Sequence, residues 1–352
     1  MSNPVLVEVL RGATVESVHT GALAIVDADG RVVTALGDVD RPIFPRSAVK
    51  LLQALPLVES GAADRFGLTD AELAIACASH NGEPEHVATS AGMLAKAGLD
   101  VNALECGTHW PTRDPILRGM LSRGETATPL HNNCSGKHAG FVCVACQLAA
   151  AQGADPGEFA RGYIRPDHPA MREVSAALAA ATGADLDSAP RGTDGCSIPT
   201  FGIPLRALAL GFARAGTGNG LSPGRAAAAL RLRRAIARQP FFVAGSNRFD
   251  TRVMEAFGER VCCKVGAEGV FCAALPELGL GVALKIDDGA VRGAEAAMAA
   301  VIEALLTHDA AQRELLRGYS KTTLMNWESV EVGQVRAAAT LAQGVRPAVK
   351  RP

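Results

Sequence analysis

A serine hydroxyl attacks well at neutral pH only when a neighbouring base takes its proton. Ser47-Ala48-Val49-Lys50 supplies such a base three residues on, and it is the only Ser-x-x-Lys in the 352-residue chain. On a helix these two positions share a face, so the Lys50 amine can reach the Ser47 hydroxyl. Burial would depress the lysine pKa far enough for it to act as a base. A helix N-terminus would favour developing negative charge. The bland reading of the same spacing is a capping serine with a solvent-facing lysine. Two further segments change the balance: Ser79-His80-Asn81, and Lys264-Val265-Gly266 far along the chain. Two serine–lysine pairs in one cleft, Ser47 with Lys50 and Ser79 with Lys264, would provide separate proton routes for attack and for departure of the leaving group. The amides of Ser47 and of the segment after Gly266 are candidates for the oxyanion hole. The chemistry expected is acyl transfer to serine followed by hydrolysis.

The elements that must position these groups are legible in outline. Residues 4 to 10, 22 to 26 and 31 to 35 read as strands, with Asp27-Ala28-Asp29-Gly30 as the turn between the last two. From Ser47, after Pro45, the pattern becomes helical and closes near Gly61. Helices are expected over 83–97, 141–152, 169–181, 201–215 and 223–237, and a last one over 292–307. Strands return at 261–265, 269–274 and 281–286. Strands at both ends with helices between them predict an α/β (α+β) fold in one catalytic domain over 1–340. A sheet lobe of about 1–45 and 255–340 would carry a helical lobe of about 46–254. Residues 341–352 show little periodicity and are expected to form a tail.

Bulk properties exclude several function classes. About half the residues are apolar, and the net charge is −1, so nothing suggests nucleic acid or a charged membrane surface as a partner. A small neutral or zwitterionic substrate fits better. No apolar run approaches membrane-spanning length, and the N-terminal segment lacks the pattern of a signal peptide, which predicts a cytoplasmic protein. Nine cysteines, scattered through apolar surroundings, read as reduced thiols. Gly136-Lys137-His138 lacks the first glycine and the final hydroxyl of a phosphate loop. Gly216-Thr217-Gly218-Asn219-Gly220 lacks dinucleotide-binding spacing.

The three catalytic segments echo, in chain order, the Ser-x-x-Lys, Ser-Asp-Asn and Lys-Thr-Gly set of serine β-lactamases and penicillin-binding proteins. Five segments together carry a more specific likeness: Phe44–Lys50, Cys77–Glu83, His131–Gly140, Asp194–Pro199 and Lys264–Gly269. They resemble the rhizobial-type, class 3 L-asparaginases of the asparaginase II family. That resemblance implies a serine β-lactamase-like fold, a homodimer, L-asparagine as substrate, and Ser47, Lys50, Ser79 and Lys264 as the catalytic set. It also implies a zinc ion held by Cys134, Lys137 and Cys196, which spacing alone would not suggest, since Cys-x-x-Lys is not a recognised ligand signature. Lysine binds a metal only when neutral. Asp194 could receive the α-ammonium of a substrate and Arg46 its carboxylate, with His80, Asn81 and His138 as further substrate contacts; each could equally be a structural hydrogen-bonding residue. A glutaminase, another β-lactamase-like amide hydrolase, or a non-enzymatic zinc-binding module would share parts of this pattern. One methylene of substrate changes pocket binding by only about 1–3 kcal/mol.

Overall fold

In the computed structural model, residues 2–349 are described. The long apolar run at 22–26 settles the centre of the molecule. It lies in β2 (Thr14–Asp27), next to β1 (Val5–Arg11) and β3 (Val32–Leu36), and all five of its residues are buried. A strand with no polar alternation needs cover on both faces. The turn before β3 is closed as expected: Asp27 accepts from the amides of Asp29 and Arg31, and Gly30 takes φ 89°.

The C-terminal strands complete the sheet: β4 (Cys262–Val265), β5 (Val270–Leu275), β6 (Leu280–Ile286), β7 (Lys321–Met325) and β8 (Glu331–Ala337). The order is β7-β8-β1-β2-β6-β5-β4, antiparallel throughout, with β3 also paired to β2. β2 serves two neighbours in turn: Thr14 to Thr20 pairs with β1, and Gly21 to Asp27 pairs with β6. Every residue of β5 is buried, so both its faces are covered.

The helical lobe supplies one part of that cover. It includes α1 (Lys50–Gln53), α2 (Pro84–Lys96), α3 (Ser135–Ala151) and α4 (Leu205–Thr217), and α4 lies on β2, β5 and β6. After α5 (Phe249–Phe257) and the β4–β6 meander, α6 (Val291–Leu305) packs against β1, β5, β6 and β8. The molecule is thus a mixed α/β fold whose sheet comes from both chain ends, as expected. β4 is one edge of the sheet, and it faces the start of the helical lobe.

Three differences from expectation have local causes. α3 begins at Ser135 rather than near 141, because Ser135-Gly136-Lys137-His138 is polar in type yet buried. α4 begins only at Leu205, since Pro199–Phe201 and Ile203–Pro204 are extended and pair with Arg191–Thr193 and Pro42–Ile43. The segment beyond 340 is not a structureless tail as far as the described residues go. It forms α8 (Ala339–Val349), in which Leu341 and Val345, one helical turn apart, are buried. One i,i+4 apolar pair is too short a signal to show as periodicity. The sequence pattern also left 310–337 unassigned; it holds α7 (Ala310–Ser320), capped by a reciprocal Asp309–Gln312 box, and the β7–β8 hairpin.

Candidate active site

Ser47 sits on a single 3-10 turn, Arg46–Val49, that follows Pro45 and runs into α1. Arg46 adopts φ 52°, a left-handed conformation costly for a residue that carries a Cβ, and its side chain is held in a part-buried ion pair, Arg46 Nε to Asp194 Oδ2 at 2.9 Å. In a 3-10 turn residues i and i+3 eclipse, so Ser47 and Lys50 project to one side. Ser47 is half-buried, whereas Lys50 is 1% exposed.

The Lys50 amine has three donors and three neighbours: the carbonyl of Ala78, Ser79 Oγ at 3.0 Å and Cys134 Sγ at 3.1 Å. Its hydrogen-bonded serine is therefore Ser79 rather than Ser47. Burial pushes the Lys50 pKa down, and the Cys134 sulfur pulls it back up. Ser79 is buried, on a turn fixed by its own amide donating to the Val243 carbonyl.

Lys264 is buried on edge strand β4, where its amine donates to the Val265 carbonyl at 2.8 Å. Burial lowers its pKa to about 7, the negative charge of Asp250 working against the fall and the charge of Lys50 adding to it. The amine of 264 thus points inwards, into the electrostatic field of Lys50. Gly266 makes the approach possible: a Cβ there would lie 2.6 Å from the Pro45 carbonyl oxygen and 3.1 Å from the Ala48 amide nitrogen. The strand end and the serine turn are packed backbone to backbone.

The second half of the site comes from α3. Gly136 lets its first turn press on the helix ending at Ile75, since a Cβ would lie 2.5 Å from the Ile75 carbonyl. This brings Cys134 against the Lys50 amine that also bonds Ser79. Lys137 donates to Cys196 Sγ at 3.0 Å. The neighbouring Cys196 thiol and the two nearby amines draw the Cys134 thiol well below its usual range, while Cys196 keeps its proton. The two sulfurs are zinc donors by type, and the Lys137 amine, which the charges of Cys134 and Cys196 hold protonated against the effect of burial, could join them only by giving up its proton. Among the described residues no group of three His, Cys, Asp or Glu side chains converges on a metal position, so a site here depends on Lys137.

The structure separates the expected substrate contacts. Arg46 and Asp194 pair with each other and border a small recess with Ser47, Gln53, Lys137 and Thr200. His80 and Asn81 are buried and fully engaged. His80 Nδ1 accepts from the Gly82 amide, which leaves Nε2–H to donate to Ser135 Oγ at 2.9 Å; burial holds the ring neutral. Asn81 donates to Glu83 and to the Ser246 carbonyl and accepts from Arg248. These two residues fix the turn that carries Ser79. His138 is buried too, with Nδ1 bonded to the Tyr163 hydroxyl at 2.6 Å and Nε2 without a partner among the described residues. Sequence reasoning missed Gln53, Thr200, Glu83 and Asp250. Glu83 alone left a signal, since it stands inside the Cys77–Glu83 segment.

A half-buried serine on a recess shared with one buried amine, three residues before a buried lysine that donates to a second serine, is the equipment of a hydrolase. The L-asparaginase II family matches residues 7–337, and the chain belongs to that family. L-asparaginase is the activity that the family's description names. No curated protein sequence matches the chain. Among solved structures, a protein called Mglu is 14% identical, with a TM-score of 0.34, over 78% of this chain and 64% of its own length. A β-lactamase from Mycobacterium bovis is also 14% identical, with a TM-score of 0.35, over 78% of this chain and 89% of its own. The chain thus spans just under two thirds of the first of these. Among the described residues no helix is long and apolar enough to cross a membrane.

Proposed function

We propose that the chain hydrolyses L-asparagine to L-aspartate and ammonia through an acyl-enzyme on Ser47. The observation that carries this reading is the hydrogen bond from Lys50 Nζ to Ser79 Oγ, 3.0 Å, made by a lysine on the turn that presents Ser47. Ser47 is the nucleophile because it borders the recess, whereas Ser79 lies deeper. Its oxygen attacks the side-chain amide carbon, and its proton passes to the serine–lysine set. Lys264, with a pKa near neutrality, is the amine suited to receive it. The same proton leaves on the amide nitrogen as ammonia. Water then cleaves the ester, and aspartate departs. The amides of Ser47 and of the segment after Gly266 would hold the oxyanion. Arg46 and Asp194, already paired, would meet the substrate's α-carboxylate and α-ammonium as a dipole rather than as separate charges.

Cys134, Cys196 and a neutral Lys137 would hold zinc, which when bound supplies a fixed positive charge beside the recess. The reading includes a reducing, cytoplasmic setting, supported by nine cysteines that are all free and buried. It also includes a homodimer, for which the exposed apolar side chains Met325, Trp327 and Val330 of the β7–β8 hairpin offer a surface.

The test is Ser47→Ala. Ammonia release from L-asparagine should fall by at least about a thousandfold while circular dichroism stays native. A purified Ser47→Ala protein with wild-type activity rejects the mechanism.

A further inference from the structure

Asp250 has no part in the reaction as described, yet its position is unusual. It lies in the first turn of α5 and is 0% exposed. Its Oδ1 accepts the Val265 amide at 2.8 Å, whereas its Oδ2 has no partner among the described residues. A buried carboxylate oxygen without a hydrogen bond is costly and needs a compensating charge. The Val265 peptide is gripped at both ends, its N–H by Asp250 and its carbonyl by Lys264. The next residue, Gly266, rests on the Ser47 turn.

We propose that Asp250 is a positioning residue for the hydrolytic reaction: it secures the end of β4 against the serine turn and keeps a fixed negative charge beside Lys264. The inference rests on the serine–lysine reading above. Several groups face this lysine. Lys50 on α1 and Arg248 at the head of α5 oppose its charge; Cys134 on the helical side and Asp250 favour it. The neighbouring thiols Cys77, Cys263 and Cys272 are all pushed upwards by burial and stay neutral. Asp250 also acts on Glu295 of α6, whose carboxyl burial lifts to about 7, and on Tyr319 of α7. Asp250 is therefore the only carboxylate that adjusts the amine directly among the groups that shift it.

The experiment is the pH dependence of kcat/KM for Asp250→Asn. Asparagine keeps an acceptor for the Val265 amide and removes the charge. Neutral Lys264 is the active form, so activity falls on the acid side as that amine protonates, and loss of an anion moves this limb to lower pH. An opposite charge at close range is worth roughly one unit or more. At a pH one unit below the wild-type limb, the activity relative to plateau should rise about fivefold. Asp250→Glu, which keeps the charge, should leave the limb in place even if kcat falls, and it serves if the asparagine variant does not fold. Glu295→Gln should also leave it in place. A limb unmoved in Asp250→Asn, or moved in Asp250→Glu, overturns the inference. Failure of the underlying mechanism is seen separately, as retained activity in Ser47→Ala.

Discussion

Replacing Gly266 with alanine perturbs one contact that the catalytic geometry depends on and nothing else. The new Cβ would stand 2.6 Å from the Pro45 carbonyl and 3.2 Å from the Ala48 side chain. Ordinary contact begins near 3.4 Å, so the strand end must retreat from the serine turn by about 0.8 Å. Backbone lies on the far side of that contact, and no flexible side chain can give way. Overpacking on this scale costs about 1–3 kcal/mol of stability, and a misplacement near 1 Å costs roughly a hundredfold in rate. The assay is ammonia release with thermal unfolding measured on the same preparation. The expected result is a fall in kcat/KM of roughly thirty- to a hundredfold with only a few degrees lost in Tm. If Gly266→Ala retains wild-type kcat/KM, the packing of strand end on serine turn has no catalytic meaning, and Lys264 is not part of the machinery.

Two other substitutions separate scaffolding from chemistry. Asn81→Asp sets a carboxylate against Glu83 and the Ser246 carbonyl, so stability should drop by about 2 kcal/mol or more, seen as a lower midpoint in urea; an unchanged midpoint would show that Asn81 is not holding the loop. Cys134→Ser should abolish zinc retention measured by elemental analysis after dialysis, where the wild type keeps about one ion per chain. Equal zinc in both proteins would place the metal elsewhere.

The parts of the site that were legible in sequence are those whose residues are neighbours along the chain. Ser47 and Lys50 lie on one turn, so their spacing places them together on the chain, but the serine that the Lys50 amine bonds is Ser79, which the spacing did not show. Cys134 and Lys137 were named only through family resemblance, because an amine paired with a thiolate has no spacing rule of its own. Asp250 was invisible for a different reason: an acidic residue in the first turn of a helix has an ordinary explanation in the helix dipole, and its proximity to Val265 depends on how α5 meets the sheet. His80 and Asn81 were read as candidate contacts because polar residues beside a catalytic serine usually face it. Here both side chains spend their hydrogen-bonding atoms on the chain's own backbone and side chains. The fold was read from its two blocks of strands, and the hairpin at 321–337 escaped because β7, Lys-Thr-Thr-Leu-Met, has no buried residue and so no apolar alternation to read.

The sheet that delivers Lys264 joins the two ends of the polypeptide, which sets an order on biosynthesis. Both serines and the two cysteines, Cys134 and Cys196, leave the ribosome well before residue 264 does. Until the β4–β6 meander has been made and zipped onto β2, the nascent enzyme holds its nucleophile without the amine proposed to arm it. A translation product cut short before the meander would carry Ser47, Ser79 and the cysteine pocket and still be inert.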